Sequence, residues 1–170
     1  MGMERPAQFR DPQLETSGEV IGFYPREFYP FDNFASFQVD VFEERWPTSE
    51  HAYHAAKFME TAPDVVELIR EARSPHDALK IATEHKARRA EDWDERKVAV
   101  MYGICRLKLL QNPYVLEKLE LTGDMEIVED SPKDDYWGWG PNRDGRNELG
   151  KIWMRLRDEL RAGKLTEEAE

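Results

Sequence analysis

Hydrophobic and polar positions alternate in two stretches near the amino end and then settle into three- and four-residue spacing. Residues 18–24 (GEVIGFY) and 36–43 (SFQVDVFE) read as strands, with Phe37, Val39 and Val41 on one face of the second. Residues 25–34 between them carry two prolines, an Asp-Asn pair and four aromatics, which predicts a loop with a buried underside. After Trp46-Pro47 the spacing predicts helices. Thr48 or Ser49 caps one running over 50–60, with Glu50 near its positive end. A second covers 63–73, and Ser74-Pro75-His76-Asp77 starts a third. A longer helix over 92–111 stacks Trp93, Lys97, Met101 and Ile104, and Asn112-Pro113 opens a short one that stops at Thr122-Gly123. Residues 125–129 form a short strand. A final helix over 147–161 buries Leu149, Ile152, Trp153, Leu156 and Leu160. The expectation is a mainly α, single-domain fold with a small β element near the amino terminus. The domain is placed at 19–161, between a loose segment at 1–18 and an acidic tail at 162–170.

Composition narrows the class. A chain of 170 residues, 40% hydrophobic and 35% charged, is globular and fits one domain. Its net charge of −11 argues against general coating of nucleic acid, which needs a basic protein, while leaving room for a local basic site. One cysteine, Cys105, excludes an intramolecular disulfide and a multi-cysteine metal cage. No apolar run approaches the roughly 20 residues of a membrane span. The first residues lack a signal-peptide core, and Gly2 lacks the Ser or Thr at position six that myristoylation needs. A soluble, cytoplasmic protein without a membrane partner is expected.

Four constellations carry candidate chemistry. Glu50, His54 and Lys57 lie at i, i+4 and i+7, so a carboxylate, an imidazole and an amine share one helical face suited to acid–base or nucleophilic work. A solvated face with an ordinary intrahelical pair is the competing reading. His51 and His54, at i and i+3 with the glutamate preceding, do not have the helical zinc spacing, so no metal is assigned. The basic run His85-Lys86-Ala87-Arg88-Arg89 suits a phosphate or diphosphate, or else balances Glu84, Glu91 and Asp92. Lys97 sits in the stripe Trp93, Lys97, Met101, where it either snorkels outward or is held with a depressed pKa.

The fourth constellation is the patternless loop at 130–147. A loop of that length inside a domain is functional or disordered, and two tryptophans argue against disorder. Tyr136, Trp137 and Trp139 can stack on a base, and Gly138, Gly140 and Gly145 allow close backbone approach. Asp130, Asp134 and Asp135 stand beside them without calcium-loop spacing.

In order along the chain, these segments resemble the NADAR superfamily, in particular its YbiA-like members. The matching residues are Asp32-Asn33-Phe34, the run Trp46-Pro47-Thr48-Ser49-Glu50-His51, Lys57-Phe58, Asp92-Trp93, Lys97 and Val100-Met101. They continue with Thr122-Gly123-Asp124, Asp134-Asp135-Tyr136-Trp137-Gly138, Gly140, Asn147, Leu149-Gly150, Met154 and Arg157. The resemblance covers about residues 19–161. Two places depart from the family pattern: Ala82-Thr83 stands where a Gly-Arg pair is usual, and Gly145-Arg146-Asn147 where Gly-Lys-Asn is usual, with Pro141, Asn142 and Arg143 as extra residues nearby.

The resemblance implies a mostly α domain that hydrolyses N-glycosidic bonds. The implied substrates are phosphoribosylamino-pyrimidine intermediates of riboflavin biosynthesis, or ADP-ribosylated guanine in nucleic acid. Such cleavage builds positive charge at the anomeric carbon, which a carboxylate stabilises: Glu50 first, Asp135 second. Lys97, and after it Lys57, is the candidate for attack on that carbon through a neutral amine. Trp93, Tyr136 and Trp137 are candidates to hold the base, Phe34 and Gly138 to line the site, Asn33 and Asn147 to bond base or ribose, and Arg88 and Arg89 to hold phosphate. No cofactor is called for. The alternative is a non-catalytic module that binds ADP-ribose or a related nucleotide.

Overall fold

The computed structural model describes residues 20–23 and 28–165. The loose segment expected at 1–18, the ends of the first expected strand, residues 24–27 and the last five residues of the tail lie outside them. The described residues form two compact units, 33–112 and 20–32 with 113–165.

In the first unit, β2 (Val39–Val41) and β3 (Glu44–Trp46) form an antiparallel hairpin. The turn residues Phe42 and Glu43 both have positive φ, 56° and 62°, the pairing of a tight primed turn. β3 was not expected, because that turn normally announces itself with Asn-Gly or Asp-Gly and this one has neither. Asp40 opposes Arg45 and pairs with it at 2.7 Å. The far side of Asp40 is closed by a side chain: Gln111 accepts from its amide at 2.7 Å and donates to its carbonyl at 2.9 Å.

Four helices follow: α1 (Ser49–Ala56), α2 (Pro63–Arg70), α3 (Pro75–Glu84) and α4 (Trp93–Gln111), with a 3-10 turn at Lys86–Arg88. Thr48 caps α1 by accepting from the His51 amide, and Ser74 caps α3 by accepting from Asp77. α1 packs against α2, α3 and α4, and all eight of its residues are buried. Ala52, Ala55 and Ala56 make that close approach possible, and Phe58, Val65, Ile69, Ile104 and Leu109 fill the surrounding core.

In the second unit, β1 (Val20–Phe23) pairs in parallel with β4 (Glu126–Glu129), while α5 (Pro113–Leu121) and α6 (Glu148–Arg161) complete it. Phe23, Phe28, Phe31 and Trp153 form its aromatic core, and the Trp153 indole donates to the Phe31 carbonyl at 3.1 Å. The turn at Thr122-Gly123-Asp124 is held by two arginines of α6. Arg157 donates to the Thr122 hydroxyl and the Met125 carbonyl, and Arg161 to Asp124. Leu160, expected in the core, is half-buried.

α6 lies so close to β4 that Gly150 has no room for a side chain: a Cβ there would overlap the Ile127 carbonyl oxygen and the Asn147 amide. Gly150→Ala is therefore expected to cost at least about 2 kcal/mol, because backbone, unlike a flexible side chain, cannot move aside. A urea midpoint within error of the parent would refute that close approach.

Candidate functional site

The shared face of Glu50, His54 and Lys57 is real, and it is not solvated. Glu50 is 8% exposed and His54 4%, with the His54 Nε2 3.3 Å from the Glu50 carboxylate. Burial of a carboxylate and an imidazole in a helix built from alanines is costly unless the groups serve one another or a ligand. The expected alternative, an ion pair in solvent, is corrected by that burial.

Lys57 follows at the end of α1, with its ammonium 5.1 Å from the centroid of the Tyr53 ring. Burial pulls its pKa down from the usual 10.5 to about 8; Glu50 opposes the fall, and Arg89, Lys86 and Lys97 add to it. Lys57 is thus held with a depressed pKa. Lys97, which the apolar stripe had marked first for attack, is half-buried and lies 3.4 Å from the Asp94 carboxylate.

The residues around this face are held in place by local bonds. The Asn33 carbonyl accepts from the Glu50 amide at 3.1 Å, the Asn33 side chain accepts from the Ser49 hydroxyl at 3.1 Å, and its amide donates to the Met101 sulfur at 3.3 Å. Asn33 is thereby tied to the start of α1 and to α4. His51 completes the first turn. Its Nε2 lies 3.1 Å from the Ala72 carbonyl, which can only accept, so Nε2 carries the proton and Nδ1 accepts from the Thr48 hydroxyl at 2.8 Å. Burial lowers the His51 pKa, consistent with a neutral ring. The run Trp46 to His51 is in this way a scaffold: Thr48 and His51 fix the helix start, and Glu50 is what the scaffold presents.

Trp93 is 1% exposed and packs 5.3 Å from Tyr53. It supports Tyr53 from behind and offers no open face of its own for a base. Phe34 packs edge-on to His76, ring centroids 4.7 Å apart. In the basic run the partners differ from those expected: Arg88 makes a bidentate pair with Asp64, and Arg89 lies 3.3 Å from Asp94. Arg88 is thus turned to an exposed carboxylate, whereas Arg89 and Lys86 belong to the positive surroundings of Lys57.

The aromatic loop of the other unit is ordered by its own backbone. Asp134 accepts from the amides of Tyr136 and Trp137 at 2.9 and 2.8 Å, an Asx turn that sets the two rings edge to face, centroids 5.0 Å apart and 82° between planes. The Arg146 guanidinium lies 4.7 Å from the Tyr136 ring centroid. Arg143, one of the extra residues, reaches the buried Asp130 at 3.2 Å and stands over Trp139. Asn147, in the left-handed region at φ 54°, spends its side chain on β4: the amide donates to the Ile127 carbonyl and the oxygen accepts from the Glu129 amide, both at 2.9 Å. That is a backbone clip. Gly138 is pressed against the Glu129 carbonyl, Asp135 is exposed, and Trp137 is half-buried.

The signal that sequence reasoning underweighted is Tyr53. It lies between Trp93 and the Lys57 amine, and the three-residue step from Glu50 to Tyr53 could have drawn it onto the same side of the helix.

The NADAR domain profile matches residues 9–161, which cover the first unit and all but the last residues of the second. A riboflavin biosynthesis protein of Vibrio vulnificus is 37% identical over 158 residues, 93% of this chain; the chain spans only 39% of that protein's length. The N-glycosidase YbiA of Escherichia coli is 33% identical over 143 residues, 83% of this chain and 88% of that one. The NMR structure of the E. coli protein YbiA superposes with a TM-score of 0.77 at 32% identity, covering 89% of this chain and 90% of the other. With the motifs in order, the mostly helical architecture and the close structural match, the chain belongs to the NADAR domain family.

Proposed function

We propose that this chain is an N-glycosidase that releases a base from a ribose-phosphate, with a phosphoribosylamino-pyrimidine of riboflavin biosynthesis as its substrate. The observation that supports the reading most directly is the buried Glu50 carboxylate on a helix face with His54 and the partly deprotonated Lys57. A protein that only bound a phosphorylated ligand would gain nothing from a buried negative charge, since it would repel the ligand. The relatives support the same reading: one bears the name N-glycosidase, another that of a riboflavin biosynthesis protein.

Glu50 stabilises the positive charge that develops at the anomeric carbon as the C–N bond breaks, and orients the water that attacks it. Asp135 is the second candidate carboxylate. Lys57 and Lys97 supply the amine for an imine route. Arg89 and Lys86 hold the phosphate, and Trp137 stacks on the base, with Tyr136 edge-on to Trp137. Neither route calls for a metal or redox cofactor.

A single chromatographic assay tests this, with phosphoribosylaminouracil, DNA carrying ADP-ribosylated guanine, and NAD offered in parallel. Release of the aminouracil with ribose 5-phosphate is the expected result. Cleavage of the modified DNA alone would keep the glycosidase and replace the substrate. Binding of all three without product would overturn the enzyme in favour of a nucleotide-binding module. In the same assay Trp137→Ala is expected to weaken substrate binding by roughly 1–3 kcal/mol, the size of a lost base stack. A lower melting temperature with unchanged affinity would make Trp137 a packing residue.

A further inference from the structure

α1 carries two buried histidines three residues apart, and they are treated differently. His51 has both ring nitrogens matched, to the Thr48 hydroxyl and the Ala72 carbonyl. His54 is just as buried, yet among the described residues neither Nδ1 nor Nε2 has an aligned hydrogen-bond partner. The Glu50 carboxylate lies 3.3 Å from Nε2, near enough for attraction but off the line of a hydrogen bond. The Tyr53 ring meets it edge-on at 5.3 Å. A histidine kept for packing would be replaced to advantage by leucine at such a position, because burying two unmatched ring nitrogens works against folding.

We propose that His54 is a positioning residue for Glu50: a small turn of its ring brings Nε2–H onto the carboxylate and fixes the oxygen that faces the reacting sugar. The torsion involved is broad and soft, so little rearrangement is needed. His51 on the same helix feels both members of the pair, and Lys57 at its end feels Glu50 together with Arg89, Lys86 and Lys97. Asp94 is engaged by Arg89 and Lys97, and the carboxylate beside His54 is Glu50.

This inference rests on the glycosidase reading for its kinetic arm and is independent of it in the other. His54→Leu is expected to keep or raise the melting temperature while lowering kcat about ten- to a hundredfold at unchanged KM, the cost of a misplaced catalytic group. His54→Gln, which still offers an N–H to the carboxylate, should recover most of that loss. His54→Leu with parental kcat, or loss of kcat in both variants alike, overturns the positioning role. The second arm is proton NMR of the four histidines in the full chain, with His54 assigned by its absence from His54→Gln. At fixed pH, Glu50→Gln should move the His54 ring-proton resonances and leave those of His76 and His85 in place, because only His54 has its Nε2 3.3 Å from that carboxylate. Unmoved His54 resonances overturn the pairing. If no substrate turns over, the glycosidase reading fails by itself and the NMR arm still decides the pairing.

Discussion

Glu50→Gln is expected to leave a folded protein with at least about a hundredfold lower kcat and little change in KM. The substitution keeps shape and size and removes only the charge, so what is lost is the stabilisation of the developing cation, and one well-placed electrostatic group contributes that much. Its stability should hold or rise, because the carboxylate is buried beside an imidazole that does not make an aligned hydrogen bond to it. The exposed Asp135 is the internal comparison: Asp135→Asn should retain most of the activity. A Glu50→Gln enzyme with a near-parental rate would remove Glu50 from the chemistry, and a large loss in Asp135→Asn would transfer the role there.

The second large effect separates the two lysines. In the imine route the Nζ lone pair bonds to the anomeric carbon as the glycosidic bond breaks, and the base departs with that electron pair and a proton. The ring oxygen then leaves the same carbon, taking a proton from nitrogen, and the resulting imine is hydrolysed by water. Attack needs the free amine. With a pKa of about 8, Lys57 has roughly a tenth of its molecules deprotonated at pH 7, far more than an ordinary lysine. Borohydride added during turnover is therefore expected to leave a reduced sugar on Lys57, found by peptide mass spectrometry, with the rate rising up to about pH 8 and level beyond.

Lys57→Arg should abolish both adduct and hydrolysis, since a guanidinium stays charged. Lys97→Arg should reduce activity without removing the adduct. An adduct on Lys97 would reverse the assignment, and activity in both arginine variants with no adduct in the parent would leave the direct attack of water. The same burial has a stability signature with a definite sign. The unfolded chain keeps the Lys57 proton up to about 10.5 and the folded one releases it near 8, so the fold gains stability as pH rises between those values.

The helices of this protein were legible because capping and spacing agree: Ser74-Pro75 and Asn112-Pro113 each begin a helix where the pattern places one, and Thr48 caps α1 as expected. The partner of a strand is another matter. β1 and β4 are joined across about a hundred residues of chain, and nothing in VIGF or EIVE specifies the other. β3 escaped notice because Phe42-Glu43 adopts a conformation usually left to Gly and Asn.

At the site, helical spacing gathered Glu50, His54 and Lys57 onto one face, while their burial came from three helices packing around α1, which no local pattern records. The opposite happened with Trp93 and Asn147. Both looked like ligand contacts by residue type, and the structure spends the first on Tyr53 and the second on the backbone of β4.

Gln111 has a consequence beyond the hairpin it touches. A two-stranded ribbon ends in rows of peptide groups that can template a further strand from another molecule, the first step toward association and fibre growth. At Asp40 the outward amide and carbonyl are both occupied by one carboxamide from the end of α4, which imitates the rung a neighbouring strand would supply. The ribbon is thus sealed at Asp40 by a residue of its own chain, one that has no part in the proposed chemistry.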